Sequence, residues 1–357
     1  MERTGAAPAP SARPYFPELD GVRAIAALMV MAFHFSQDWW GRRFMIFGQT
    51  GVDLFFVLSG FLITTLLLQA PQGDLRELRR FYIRRTLRIF PLYYGYLLMS
   101  VGMGAAVSVW YWFYLQSIAS GLRLPIHGPG HFWSLAVEEQ FYLAWPFLVL
   151  FLPRRWLAGA MWAAIGFSLV VRVLLLHTAV DSFYFTVTRL DGLAAGGLLA
   201  LYYRRGWLAD AIGLLGALAA LSVAILGAQW WLSHGDGVAW VQVTKFTSAA
   251  LLYASLIGLI VATSSTGGAS RRSSPAHALL RLPPLRAVGR VSYGMYVFHP
   301  VIFGFLPPFL GRTPLLLKAI FCFLCVYGVS FASFYGFERR FTGMKERLAP
   351  EPRFQEA

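Results

Sequence analysis

The chain has 357 residues, of which 57% are hydrophobic, 16% aromatic and only 13% charged, and 31 Lys+Arg against 17 Asp+Glu give a net charge of +14. An ordinary soluble domain carries about 25% charged and 45–50% apolar residues, so a soluble globule of this length would lack the polar side chains to cover itself. Disorder, a collagen-like repeat and a nucleic-acid-binding domain fit no better, and a polytopic membrane protein remains.

Residues 1–14, rich in Pro and Ala, read as a disordered tail. No cleavable signal peptide is expected there, so the first apolar segment stays as a helix. Ten apolar segments then follow at roughly 19–36, 49–69, 89–107, 132–152, 156–177, 186–203, 208–228, 241–263, 290–309 and 314–337. Each approaches the ~20 residues that cross a bilayer as a helix. Only helices satisfy their own backbone in lipid, so the expected fold is all-α: about ten transmembrane helices around an intramembrane cavity. Residues 108–131 read as a longer loop, aromatic and then Gly/Pro-rich (LPIHGPGH), and no fixed-period repeat supports an inverted-repeat transporter. Cys322 and Cys325 share a C-x-x-C spacing inside FCFLCVY. With no second Cys pair or Cys/His cluster to complete a metal site, they read as small apolar side chains, and no metal is expected.

Orientation follows the Lys/Arg bias of short loops. One set of junctions holds four arginines (Arg42, Arg43, Arg123 and Arg312). The opposite side, tails included, holds twenty-two Lys and Arg. Both termini are therefore expected in the cytoplasm, and the excess positive charge is mainly topology.

An ionisable group inside a membrane is costly and marks a candidate functional site. In the first segment, LDGVRAIAALMVMAFHF, Arg23 and His34 lie eleven residues apart, close to three turns and about 16 Å along one face. The bland alternative is a snorkelling Arg and an interfacial His. The second segment, GVDLFFVLSGFLIT, places Asp53 near its outer end and Ser59 and Gly60 mid-segment, where glycine permits close helix packing. FYIRRTLRIFPLYY then sets Arg84, Arg85 and Arg88 within five residues at the cytoplasmic face. This density suits bidentate capture of phosphates, or plain anchoring to anionic lipid. In the fourth segment, HFWSLAVEEQFYLAWP, His131, Trp133 and Ser134 stand at the outer end, and Ser134, Glu138 and Tyr142 share one stripe with Glu139 beside it. The sixth opens TRLDGLAAGG with Arg189 and Asp191, and the ninth, GRVSYGMYVFHP, carries Ser292, Tyr293, Tyr296 and His299. Two layers result: an inner one of Arg23, Arg84, Arg85, Arg88 and Ser292, and an outer one of His34, Asp53, Ser134, Glu138, Arg189 and Asp191, with His299 between. A path joining a cytoplasmic phosphate-binding mouth to an outward imidazole suits a donor entering from inside and an acceptor waiting outside.

Those six blocks, in this order and spread from about residue 15 to 340, resemble the acyltransferase family 3 membrane proteins, which O-acylate bacterial surface glycans and some secondary metabolites. The family's Arg–ten residues–His pattern falls on Arg23 and His34, its R-x-x-R pattern on Arg85 and Arg88, and its W-S-L-x-x-E block on Trp133, Ser134 and Glu138. The resemblance implies a ten-helix domain over 15–340, flanked by cytoplasmic tails at 1–14 and 341–357. It further implies a stand-alone form without a soluble esterase-like domain, in the bacterial inner membrane, taking cytoplasmic acyl-CoA, commonly acetyl-CoA, as co-substrate with no tightly bound cofactor.

The expected chemistry is acyl transfer to a hydroxyl of a cell-surface polysaccharide or lipid-linked glycan, such as O-antigen or exopolysaccharide, with a small secondary metabolite as an alternative acceptor. Arg23, Arg84, Arg85 and Arg88 hold the donor. His34 serves as general base or transient acyl carrier. Glu138 or Asp53 orients it as a carboxylate orients a triad histidine. Arg189, Ser134 or Tyr296 supports the oxyanion, with Trp133, Asp191 and His299 as further support. A proton-coupled transporter is the rival class, since carriers also bury Arg, His, Asp and Glu.

Overall fold

A run of about twenty apolar residues bounded by turn formers closes its own backbone hydrogen bonds as a helix, and such runs dominate this chain. A computed structural model of the protein describes residues 15–36, 46–233, 238–265 and 274–350. Among the described residues ten helices reach fifteen residues or more, and each overlaps one of the ten expected segments. They are α1 (Pro17–Phe35), α2 (Gly51–Gln69), α3 (Leu75–Gly102), α4 (Trp133–Phe151), α5 (Arg154–Leu175), α6 (Leu190–Arg204), α7 (Ile212–Ser233), α8 (Ala239–Ser265), α9 (Pro283–Phe309) and α10 (Leu315–Ser333).

Five of the ten, α2, α5, α7, α8 and α10, are long and apolar enough to cross a membrane on length and composition. The others are short, as α6 is, or are interrupted by ionisable side chains such as Arg84, Arg85 and Arg88 in α3 and Glu138 and Glu139 in α4. Helix α3 begins fourteen residues before the expected 89, because the Asp74 carboxylate accepts from the Arg76 N–H and starts the helix there. Helix α9 likewise begins early, with Pro283 in its first turn, where the missing N–H costs nothing.

Side-chain pairs give the direction of each neighbour. Helices α3 and α4 are antiparallel: the Tyr82 hydroxyl donates to the Leu143 carbonyl at 2.7 Å at one end, and the Tyr93 and Phe132 rings lie 5.0 Å apart at the other. Helices α9 and α10 are antiparallel too, Gly294 meeting Ser330 and Phe303 meeting Phe323. Odd-numbered α1 and α9 run parallel, from Gly289 against Asp20 to His299 against His34. Even-numbered α2 and α6 run parallel, from Asp53 beside Arg189 to the Leu68 carbonyl beside Arg204. A chain threading back and forth through one slab produces this alternation.

Two contacts depend on glycine. A Cβ on Gly60 would stand 2.0 Å from the Leu193 carbonyl oxygen, and one on Gly196 2.0 Å from that of Val57, so α2 and α6 touch backbone to backbone. A Cβ on Gly289 would meet the Asp20 carbonyl oxygen at 1.9 Å, which draws α9 equally close to α1.

The expected loop at 108–131 carries two short helices, Val109–Trp112 and Gln116–Gly121, tied down where the Tyr93 hydroxyl donates to the Tyr111 carbonyl and the Gln116 amide to the Phe132 carbonyl. Cys322 is buried and Cys325 half-buried, both as free thiols. Beyond α10 the chain folds back onto α3, with Arg84 donating to the Ala349 carbonyl at 3.0 Å and pairing with Glu346 at 3.1 Å. The expected tail at 1–14, and Arg3, Arg13, Arg42, Arg43, Arg271, Arg272 and Arg353 among the orienting charges, lie outside the described residues.

Candidate active site

The arginines of α3 open onto a cleft of about 530 Å³ between α1, α2 and α3. Its wall carries seven cationic side chains, Arg23, Arg76, Arg80, Arg84, Arg85, Arg88 and Lys345, against two carboxylates, Asp74 and Glu77. Several of these cations are paired, Arg80 with Glu77, Arg84 with Glu346 and Arg85 with Glu138 and Glu139, but cations still outnumber carboxylates on the wall, which favours a polyanionic occupant. Arg85 is held deepest. Its guanidinium stacks 3.6 Å from the Tyr142 ring centroid and lies 3.9 Å from Glu138 and 3.8 Å from Glu139. Glu138 in turn accepts from the Ser59 hydroxyl at 2.8 Å. Lys345 is a member of this wall that reading the sequence missed; in one dimension it is another basic residue of a tail.

A smaller cleft of about 100 Å³ continues between α1, α2, α3, α4 and α9 and shares Arg23, Ser59, Arg85 and Arg88 with the larger one. Its further wall includes Ser134, Glu138, Ser292 and Tyr296. The Tyr296 hydroxyl donates to the His131 carbonyl at 2.6 Å, so it accepts from Ser134 at 2.5 Å.

Past Tyr296 stand three imidazoles. His299 is fully buried, its ring 5.7 Å from that of Tyr296, 5.3 Å from that of His131 and 4.9 Å from that of His34. His299 Nε2 lies 3.2 Å from His34 Nδ1, which is also 3.0 Å from the Val30 carbonyl. His131 Nε2 meets the Val297 carbonyl at 3.2 Å. His34 itself lines neither cleft. His131, noted in the sequence only as an outer-end residue, joins this group because the turn Gly130–Phe132 at the start of α4 faces α9.

The two carboxylates expected to orient His34 are placed elsewhere. Glu138 belongs with Ser59 and Arg85 in the inner cluster rather than in an outer layer, because the arginine side chain reaches along the groove to it. Asp53 pairs with Arg189 at 2.7 Å, and Arg189 lies 3.7 Å over the Phe246 ring and 5.6 Å from that of Trp133. Asp191 pairs with Arg172 at 2.9 Å and accepts from Thr247 at 2.7 Å. This buried ladder of two ion pairs ties α2, α5, α6 and α8 together and lines neither cleft, and the polar and ring contacts of His34 are with Val30, Phe33 and His299 rather than with Arg189, Asp191 or Trp133. Arg23 and Arg84 line the larger cleft.

Comparison with known proteins gives a consistent result. A family model described as an acyltransferase domain matches residues 16–335. The chain is 30% identical to the peptidoglycan O-acetyltransferase OatA of Listeria monocytogenes, over 94% of this chain and 58% of that protein. It is 26% identical to the O-acetyltransferase OatA of Staphylococcus aureus, over 81% of this chain and 51% of that protein. The chain thus spans about half the length of the curated relatives it matches. No solved structure matches.

Proposed function

The chain belongs to the acyltransferase-domain family, and on that premise we propose that it is a multi-pass O-acyltransferase of the bacterial cytoplasmic membrane. It carries an acyl group, acetyl in the first instance, from cytoplasmic acyl-CoA to a hydroxyl of a cell-envelope glycan on the far face. All ten long helices cross the bilayer, with both termini inside. The alternating directions of the packed pairs and the arginine bias of the junctions support this topology.

In this reading the cation-rich cleft takes the phosphates of the donor, through charge-assisted hydrogen bonds that Arg84, Arg85 and Arg88 are spaced to make. The thin acyl-bearing arm follows the smaller cleft toward Tyr296. His34 Nε2 takes the proton of the glycan hydroxyl. The alkoxide oxygen bonds to the thioester carbonyl carbon, and the C–S bond breaks. The departing thiolate recovers the proton from His34 Nε2, leaving an ester and free CoA. The Ser134 hydroxyl, on the smaller cleft, supports the developing oxyanion by turning its proton away from Tyr296, whose own proton stays on the His131 carbonyl.

One observation carries the proposal: the two clefts share Arg23, Ser59, Arg85 and Arg88, and the smaller ends at Tyr296, one ring from the histidine cluster. Support for an envelope glycan as acceptor comes from the relatives named above, which are O-acetyltransferases, the Listeria protein by name one of peptidoglycan. The test is thiol release by purified protein in proteoliposomes supplied with acetyl-CoA, with peptidoglycan fragments, O-antigen or exopolysaccharide as acceptor. Free CoA and an acetylated glycan are expected with the parent chain and neither with His34→Ala. Uptake of a solute without thiol release would make the protein a carrier instead.

A further inference from the structure

The buried histidine pair fixes protons as well as positions. His299 Nδ1 lies 3.2 Å from the Met295 carbonyl and 2.8 Å from that of Tyr296. Both are acceptors, so Nδ1 carries the proton, and Nε2 of the neutral ring is a lone pair. Tautomers follow from the hydrogen-bond network in this way. His34 Nδ1 then faces two acceptors, the Val30 carbonyl at 3.0 Å and His299 Nε2 at 3.2 Å. It must donate, and the unprotonated nitrogen of His34 is therefore Nε2. A catalytic histidine commonly has its tautomer set by a carboxylate on the second nitrogen. Here both carboxylates that sequence analysis offered for that task are bound elsewhere, Glu138 by Ser59 and Asp53 by Arg189.

We propose that His299 is a positioning residue that holds His34 as the Nδ1–H tautomer and so presents the Nε2 lone pair to the acceptor hydroxyl. This rests on the reading of His34 as the base. When Nε2 takes the hydroxyl proton, the new imidazolium keeps its Nδ1–H directed at Val30 and His299, and no further proton moves within the pair. His299 is well suited to this. It is fully buried on α9, its own Nδ1–H is bound by two carbonyls of its preceding turn, and the contact of Gly289 with Asp20 draws α9 against α1.

The experiment compares the full chain in proteoliposomes with His299→Leu, which removes the acceptor at near-constant volume, and His299→Gln, whose amide oxygen can replace Nε2. Loss of orientation at a reacting group costs on the order of 100-fold. His299→Leu is expected to lose that much kcat with an unchanged KM for acetyl-CoA, and His299→Gln to recover most of it. Nitrogen-15 spectra of histidine-labelled parent protein, with the His34 signals identified by their absence in His34→Ala, are expected to show protonated Nδ1 and unprotonated Nε2. An Nε2–H tautomer at His34 in the parent chain overturns the proposal even if His299→Leu fails to fold. Full kcat in His299→Leu beside an inactive His34→Ala overturns it while leaving the base intact. Activity in His34→Ala removes the base reading itself.

Discussion

Arg88→Gln separates donor binding from membrane anchoring. Arg88 lines both clefts and, among the described residues, has no ion-pair partner. Its charge is therefore free for a ligand, whereas Arg85 is engaged by Tyr142, Glu138 and Glu139 and Arg84 by Glu346. One charge-assisted hydrogen bond contributes about 1.5–3 kcal/mol, and about 1.4 kcal/mol is tenfold in affinity. Removing the guanidinium should raise the KM for acetyl-CoA about ten- to a hundredfold. Such binding is uniform between ground and transition states, so kcat at saturating donor should hold. Initial rates of thiol release in proteoliposomes across an acetyl-CoA titration give both constants. Arg85→Gln is the contrast: it should also reduce the amount of folded protein, because Glu138 and Glu139 lose their cation. An unchanged KM in Arg88→Gln, with only protein yield reduced, would refute the phosphate-binding role and leave plain anchoring.

The ladder between α2, α5, α6 and α8 should prove structural. Asp53→Ala leaves Arg189 buried and uncompensated, a loss of about 3–5 kcal/mol, and should lower the thermal midpoint of the detergent-solubilised protein. Asp53→Leu combined with Arg189→Met should restore much of it; if the double variant is stable yet catalytically dead, the ladder belongs to the chemistry. Gly60→Val should prevent α2 and α6 from touching and lower the same midpoint, because its Cβ would overlap the Leu193 carbonyl. Gly304→Ala, with no neighbour within 4 Å, should not, and equal effects at both positions would contradict the packing account.

Much of the fold was legible one segment at a time. Each expected apolar segment overlaps a long helix among the described residues, five of which are long and apolar enough to cross a membrane, though α3 starts fourteen residues before its segment, and the close-packing role expected of Gly60 follows from its size. The placement of Arg23 and the α3 arginines on a common wall was also legible, because the charges face one end of their helices. What depended on which helices neighbour one another was not. The sorting of Glu138 into an outer layer counted residues along α4 and ignored the reach of the Arg85 side chain on antiparallel α3. His299 was placed between the layers, but its contact with His34, 265 residues away in sequence, requires α1 and α9 to run parallel and adjacent. Lys345 was hidden for the same reason, since only the folding of the chain back onto α3 brings it to the cleft.

The most direct measurement of the central claim is a cryo-electron-microscopy map of the full chain in a lipid nanodisc with a non-transferable thioether analogue of acetyl-CoA. The account predicts the phosphates against Arg84, Arg85 and Arg88, and the thioether beyond Ser59, at Tyr296, directed toward His34. An analogue bound outside the arginine cleft, or one whose arm turns away from the Ser134–Tyr296 pair, would contradict it.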